Sequence, residues 1–209
     1  QFAHQKVKVV SSGRTDAGVH ALGQVAHFDI DNDMTPDKVM GALNHFLWQE
    51  QVAIVGVEKV NEDFHARFNA TKRIYQYHII NRRPPLVIQH LRAWHVPIKL
   101  DVEKMQIAAT HLIGKHDFTS LRDAECQAKS PIKTLDQVDV VKEGNNIFIN
   151  VTGQSFLHHM VRNIAGILYA VGEGRWEPDD VKYILQAKDR TKAGVTAPAH
   201  GLYFMNVIY

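Results

Sequence analysis

The sequence predicts an α+β fold built mainly on antiparallel sheets, and three observations carry that reading. Strand-like and helical patterns are mixed without a regular βαβ alternation, so no extended parallel sheet is implied. Two β-branched runs, 135–141 and 147–152, flank Glu143-Gly144-Asn145-Asn146, a hairpin signature. Arg82-Arg83-Pro84-Pro85 interrupts the pattern, because consecutive prolines continue neither a helix nor a central strand. That break divides the chain into a lobe of residues 1–88 and a lobe of residues 89–209.

The elements follow in order. Val7 to Val10 reads as a short strand running into the turn-rich Ser11-Ser12-Gly13, and Gln24 to Ile30 as a second strand. Thr35-Pro36 starts a helix, since Thr can cap and Pro suits the first helical position. Val39, Met40, Leu43, Phe46 and Leu47 then recur at helical spacing. Val52 to Val60 and Arg73 to Ile80 are β-branched and aromatic enough to be strands. Asp101 to Ile113 is an amphipathic helix capped by Asp101 and stopped by Gly114. Phe156 to Val171 is the most apolar helix, Pro178 to Ala187 is another, and Leu202 to Tyr209 is a closing strand. No low-complexity tract or short-period repeat is present.

Composition narrows the class. The 209 residues are 45% hydrophobic, enough for one large core or two small ones. Basic and acidic side chains nearly balance, 24 against 22, so the placement of charge decides more than its sum. Cys126 is the single cysteine, which rules out an internal disulfide and fits a reducing compartment. No apolar run approaches the ~20 residues of a membrane span, and no secretory signal is visible. The expectation is a soluble, cytoplasmic protein with no membrane partner. The chain opens on Gln1, so an N-terminal piece is expected to be missing.

Three charge anomalies stand out. Residues 64–100 contain no Asp or Glu but carry Arg67, Lys72, Arg73, Arg82, Arg83, Arg92 and Lys99, interleaved with Phe68, Tyr75, Tyr77 and Trp94. Phosphate backbones bind such stretches, and aromatic rings stack on exposed bases; a solvated basic face, with Tyr75 and Tyr77 as core-facing strand residues, would read the same way. Conversely, Asp16 is the only carboxylate among residues 1–28, inside Gly13-Arg14-Thr15-Asp16-Ala17-Gly18. The two glycines permit a shaped loop, whether for function or as an Asx-type turn. Finally, Arg162 is the only formally charged residue from Gly144 to Gly172, on the apolar helix. An Arg so placed snorkels to water or meets a carboxylate. The solitary Asp16 and the solitary Arg162 are complementary, and pairing between them is predicted.

Absent motifs exclude other classes. Gly13 and Gly18 have phosphate-loop spacing, but Val19-His20 replace the required Lys and Ser/Thr. Neither His-Glu-x-x-His nor Cys-x-x-Cys occurs, and on a helix His158 and His159 would point about 100° apart, too divergent to share a metal. No metal and no cofactor are expected.

At this point the residues resemble a known family. Gly13-Arg14-Thr15-Asp16-Ala17-Gly18-Val19-His20-Ala21 is similar to the signature loop of the bacterial tRNA pseudouridine synthase A family. The similarity continues through Phe64-His65-Ala66-Arg67-Phe68, Lys72-Arg73-Ile74-Tyr75-Gln76-Tyr77, residues 114–120, residues 153–163 and Ala197-Pro198-Ala199-His200-Gly201-Leu202-Tyr203. The blocks come in the family's order and cover nearly the whole chain. The resemblance implies two pseudo-symmetric α+β lobes joined across a basic RNA-binding cleft, and a homodimer that clasps tRNA. The implied reaction converts uridine to pseudouridine at positions 38, 39 and 40 of the anticodon stem-loop.

By the same resemblance Asp16 is the catalytic aspartate and Arg162 its partner. Tyr75 is implied to pack on the target base, Arg14 to help displace the target nucleotide, and Leu202 to line the pocket. Family members usually open with an Asp-Gly strand and a Gly-Trp-x-x-Gln block that do not occur here, which again implies a missing N-terminal segment.

The chemistry asks for a broken C1′–N1 bond, a turned uracil and a new C1′–C5 bond. An ionised carboxylate near C1′ either adds covalently or removes the C2′ proton. One rival is a non-catalytic RNA-binding module of the same fold, in which the Asp16–Arg162 pair would have no task. Another is a base-removing hydrolase, which calls for a second acid or base; no other carboxylate stands out in the sequence.

Overall fold

The computed structural model describes residues 5–31 and 33–209. In chain order its strands and helices are β1 (Val10–Ser11), β2 (His20–Ala21), β3 (Ala26–His27), α1 (Pro36–Leu47), β4 (Lys72–Asn81), β5 (Trp94–Val96), α2 (Val102–Thr110), β6 (Gly114–Asp117), β7 (Ile132–Glu143), β8 (Asn146–Gly153), α3 (Met160–Gly172), α4 (Asp180–Ala187) and β9 (Leu202–Ile208). Short 3-10 turns lie at Thr119–Leu121, Arg190–Ala193 and Ala199–Gly201. The α+β class holds.

Two compact units divide the chain, one of residues 1–12 and 25–69, the other of residues 13–24 and 70–209. This is not the division expected near residue 88. The reason is β4, which pairs with β8 along one side and β9 along the other, so residues 70–81 belong with the C-terminal elements.

The smaller unit contains the antiparallel β1–β3 pair and α1. Thr35 occupies the N-cap position and Pro36 begins the helix, but the Thr35 side chain makes no capping bond. Val39 is buried on α1, whereas Phe46 is exposed. The strand expected over 52–60 is not formed. Ile54 instead exchanges both backbone bonds with the Asn44 side chain of α1, each at 2.8 Å, and Val52, Val55 and Val60 are exposed. β-branched content favours an extended chain, but a strand also needs a neighbouring ladder.

The larger unit is built on a seven-stranded sheet of order β2-β9-β4-β8-β7-β6, with β5 alongside β4. All its pairings are antiparallel except β2–β9 and β4–β5. Gly144, at φ +60°, and Asn145 make the two-residue turn of the β7–β8 hairpin. Alternate residues of the central strands face the core: Tyr75, Tyr77 and Ile79 of β4, and Ile147, Ile149 and Val151 of β8. The opposite face carries polar cross-strand pairs, Gln76 with Asn150 at 2.9 Å and Asn150 with Asp139 at 2.8 Å.

Helices α2 and α3 pack on one another, α2 against β7 and α3 against β4. Asp101 caps α2 by accepting from the Lys104 N–H at 3.0 Å. Gly166 lets α3 approach closely, since a Cβ there would lie 1.9 Å from the Val195 carbonyl oxygen. Arg73, counted above in a basic surface stretch, is instead buried, and its guanidinium donates to the Gln154 carbonyl. Lys72 pairs with Asp136 at 3.3 Å, so that stretch is not a uniform free cationic face.

Candidate active site

Asp16 lies on the loop that enters β2. The Gln24 side-chain amide clips the base of this loop, donating to the Gly13 carbonyl at 3.0 Å and accepting from the Gly13 N–H at 3.3 Å. The Val19 N–H donates to the Asp16 carbonyl at 3.1 Å, with Gly18 at φ +83° in the third position of the turn. A left-handed third residue is the requirement of a type II turn, and glycine meets it without a Cβ penalty. β2 then docks parallel to β9, and His20 stacks on Tyr203 with ring centroids 4.6 Å apart.

The start of α3 supplies the other half. The helix expected from Phe156 begins at Met160, because His159 takes a left-handed conformation, φ 61° and ψ 3°. For a non-glycine residue that conformation costs about 1–2 kcal/mol. It also abolishes the 100° divergence expected of consecutive helical side chains. The His158 and His159 rings stack at 3.9 Å and 30°; His158 Nε2 hydrogen-bonds Asp16 Oδ1, and His159 Nε2 lies beside Asp16 Oδ2.

The predicted ion pair is present. Arg162 Nη1 donates to Asp16 Oδ2 at 2.7 Å, and its Nε donates to the Ala197 carbonyl at 2.8 Å. His158 Nε2 is 3.2 Å from Asp16 Oδ1, and His159 Nε2 is 3.0 Å from Asp16 Oδ2. Behind the rings sits Asp123, whose Oδ2 is 2.8 Å from His159 Nδ1. Both carboxylates and the guanidinium are largely shielded, Asp16 retaining 22% side-chain exposure and Arg162 15%. A second carboxylate therefore does stand near the first. Nothing in the sequence singles it out, because Asp123 lies among ordinary charged neighbours in Arg122-Asp123-Ala124-Glu125.

Asp16, His158 and His159 offer three donor atoms within 4.8 Å of one another. Arg162 already stands 2.7 Å from Asp16 Oδ2, and its positive charge opposes a cation beside that oxygen.

The other expected site residues are placed unequally. Tyr75 is core-facing, with Phe156 and Phe204 edge-on to its ring at 4.9 and 5.0 Å. A β-bulge in the β4–β9 ladder beside Ile74 and Tyr75 sets its direction. Burial pushes its hydroxyl up to about 12, with the Arg73 charge opposing and the Asp16 carboxylate adding to the rise. Leu202 is buried at the start of β9, opposite Tyr77. Tyr77 donates to the Pro198 carbonyl at 2.7 Å, bracing the segment that also accepts Arg162 Nε. Arg14 is exposed and donates to Gln127 Oε1 at 3.3 Å rather than to Asp16.

A family described as tRNA pseudouridine synthase matches residues 1–69 and 108–209. The chain is 54% identical to a tRNA pseudouridine synthase A of Paramagnetospirillum magneticum, over 95% of this chain and 78% of that protein. It is 53% identical to the one from Azorhizobium caulinodans, over 100% of this chain and 81% of the relative. The figure for Anaplasma marginale strain Florida is 50%, over 100% and 85%.

Proposed function

The chain belongs to the tRNA pseudouridine synthase A family, isomerases that act on tRNA uridines, and on that premise we propose that Asp16 is its catalytic group and that it converts uridines 38, 39 and 40 of the anticodon stem-loop. The observation that carries the first part is the Asp16 carboxylate itself. It sits in a shaped loop with an arginine and two imidazoles on its oxygens. Such neighbours hold the carboxylate in one orientation, as either route requires. In one route Asp16 bonds to C1′ as the C1′–N1 bond breaks, and C5 of the turned uracil then displaces the carboxylate as the C1′–C5 bond forms. In the other it takes the C2′ proton, and the glycal so formed regains a proton when C1′ joins C5. In both, N1 ends protonated and C5 has lost its proton, so the product has the mass of the substrate.

The target base must first leave the stack, at a cost of a few kcal/mol. Arg14, exposed on the same loop, is suited to occupy the vacated space, while Tyr75 and Leu202 form the apolar support beneath the base. The enzyme works in the cytoplasm as a homodimer bound to tRNA. Among the described residues no helix is long and apolar enough to cross a membrane. Asp16→Asn keeps the loop's shape and removes the charge. Pseudouridine formation on unmodified tRNA should fall to background while tRNA affinity stays within about tenfold, or roughly 1.4 kcal/mol. Substantial turnover by the pure variant would refute the assignment.

A further inference from the structure

Arg162 is tied twice to residue 197. Its Nε donates to the Ala197 carbonyl at 2.8 Å, and the Ala197 N–H donates back to the Arg162 carbonyl at 3.2 Å. With Nη1 on Asp16 Oδ2 at 2.7 Å, two N–H groups of one rigid plane are engaged, and the second bond stops the guanidinium from swinging about the first. The direction of Arg162 toward Asp16 therefore depends on where the Ala197 carbonyl stands.

No ladder or helical turn holds that carbonyl, because residues 194–198 belong to no helix or strand. Side chains hold the segment instead. Asn163 follows Arg162 on α3, so it points about 100° away and takes the neighbouring residue of the segment. Its Oδ1 accepts from Thr196 Oγ1 at 2.7 Å, and its Nδ2 donates to the Leu121 carbonyl at 2.9 Å. Arg190 closes the set. Its Nη2 donates to Thr196 Oγ1 at 2.6 Å and to Asn163 Oδ1 at 3.0 Å, and its Nη1 donates to the Gly194 carbonyl at 2.9 Å.

The Thr196 hydroxyl has one proton, which goes to Asn163, and offers a lone pair to Arg190. Asn163 Oδ1 uses both of its lone pairs, inside a fully buried residue. A core that only needed filling would be served by apolar side chains, whereas removing one member of such a network strands the others. Every bond of the Arg190 fork ends either on this segment or on the Asn163 side chain that holds it.

We infer that Arg190 is a positioning residue for Arg162: with Asn163 it fixes Thr196, and so the Ala197 carbonyl that orients the Arg162 guanidinium on Asp16.

This role rests on the catalytic assignment of Asp16, and the experiment separates the two. Proton exchange is measured on the full chain, labelled with nitrogen-15 at arginine and free of RNA. The Arg162 Nε–H, assigned by its loss in Arg162→Lys, should exchange slowly in the parent. In Arg190→Lys, which keeps the charge but not the fork, it should exchange faster by about tenfold or more. Arg190→Lys should also lower kcat for pseudouridine formation by about tenfold, with KM for tRNA within about twofold. In an Arg162→Lys background, which has already lost the bond from Nε to Ala197, the same substitution should lower kcat no further. A residue that merely supports the fold would cause the same loss in both backgrounds. Unchanged exchange in Arg190→Lys, an unmoved kcat, or an equal loss in both backgrounds overturns the inference. Should Arg190→Lys fail to fold, Thr196→Val removes the hydroxyl at which Arg190 and Asn163 meet and should show the same fast exchange and lowered kcat, while Thr196→Ser keeps it and should match the parent. Parental behaviour of Thr196→Val overturns the inference too. Inactivity of the parent on tRNA would count against Asp16 as the catalytic group, and the exchange rates would still decide whether Arg190 orients Arg162.

Discussion

Replacing Arg162 by Met removes the guanidinium but keeps an unbranched apolar stem at a position with 15% side-chain exposure. Two contacts disappear: the 2.7 Å bond to Asp16 Oδ2 and the 2.8 Å bond to the Ala197 carbonyl. Breaking a fully buried ion pair costs roughly 3–5 kcal/mol. Here the orphaned Asp16 keeps two imidazole neighbours and 22% exposure, so a loss of about 2–3 kcal/mol is the better figure. At roughly 2–4 °C per kcal/mol for a chain of this size, the melting temperature should fall by about 4–12 °C. Turnover should fall further, by about 100- to 1,000-fold, as when one preorganised donor is taken from a reacting anion. Arg162→Lys keeps the charge but not the fork that spans Asp16 and Ala197, so it should lose less stability yet remain impaired in turnover. The assay is a double-mutant cycle of Arg162→Met with Asp16→Asn, read by thermal unfolding and by single-turnover pseudouridine formation. Coupling of about 1–3 kcal/mol is expected. Additivity within ~0.5 kcal/mol, together with near-parental turnover in Arg162→Met, would refute the pairing argument.

Other perturbations probe the support of the site. Tyr75→Phe should keep the edge-on packing with Phe156 and Phe204 and melt near the parent, whereas Tyr75→Ala should lose roughly 3–5 kcal/mol as well as turnover; equal stabilities would mean the ring is not packed as described. Gly166→Ala should be destabilising by about 1–3 kcal/mol despite its better helix propensity, because its Cβ meets the Val195 carbonyl at 1.9 Å. A higher melting temperature in that variant would contradict the close approach of α3. Asp117 is held below its ordinary 3.8 first by the Thr119 hydroxyl, with the Thr119 N–H and Lys188 also contributing and burial opposing. A depressed folded value adds stability above the unfolded pKa that is lost as pH falls through the folded one. Asp117→Asn should therefore lose less melting temperature than the parent between pH 5 and pH 2, roughly the range of that titration. Identical acid slopes would remove Asp117 from the account.

How much of this was legible depended on whether a residue's signal was local. Asp101 and Gly144 announce their structures because capping and tight turns need particular side chains at fixed offsets. The Asp16–Arg162 pair was legible for a different reason: each charge is solitary in an apolar or acid-free stretch, and isolation leaves few candidates for a partner. Val52–Val60 misled because composition reports extended chain, not the neighbour that completes a ladder. β2, β5 and β6 went unseen because two to four residues that pair with distant strands leave no periodicity. Asp123 was invisible on both counts, being neither isolated in charge nor placed by a motif. His158 and His159 were assigned to a helix because apolar periodicity extends across them, yet one left-handed residue ends the helix at Met160 and reverses the geometry.

That single backbone departure also bears on how a carboxylate can serve near RNA. A lone Asp16 would repel the phosphates that must come close to it, and desolvation by the bound strand would raise the cost of its charge. Arg162 meets that need at short range: its guanidinium stands 2.7 Å from Asp16 Oδ2, so one positive charge is paired with the anion before any RNA arrives. On the other oxygen, His158 Nε2 lies 3.2 Å from Asp16 Oδ1. His159 is held by Asp123 from behind, so the place of its ring beside His158 is fixed by a bond on the far side. The left-handed conformation at His159 is what lets the two rings stack beside Asp16, and its cost of about 1–2 kcal/mol is small beside the 100- to 1,000-fold in rate, roughly 3–4 kcal/mol, that one positioned donor on a reacting anion supplies.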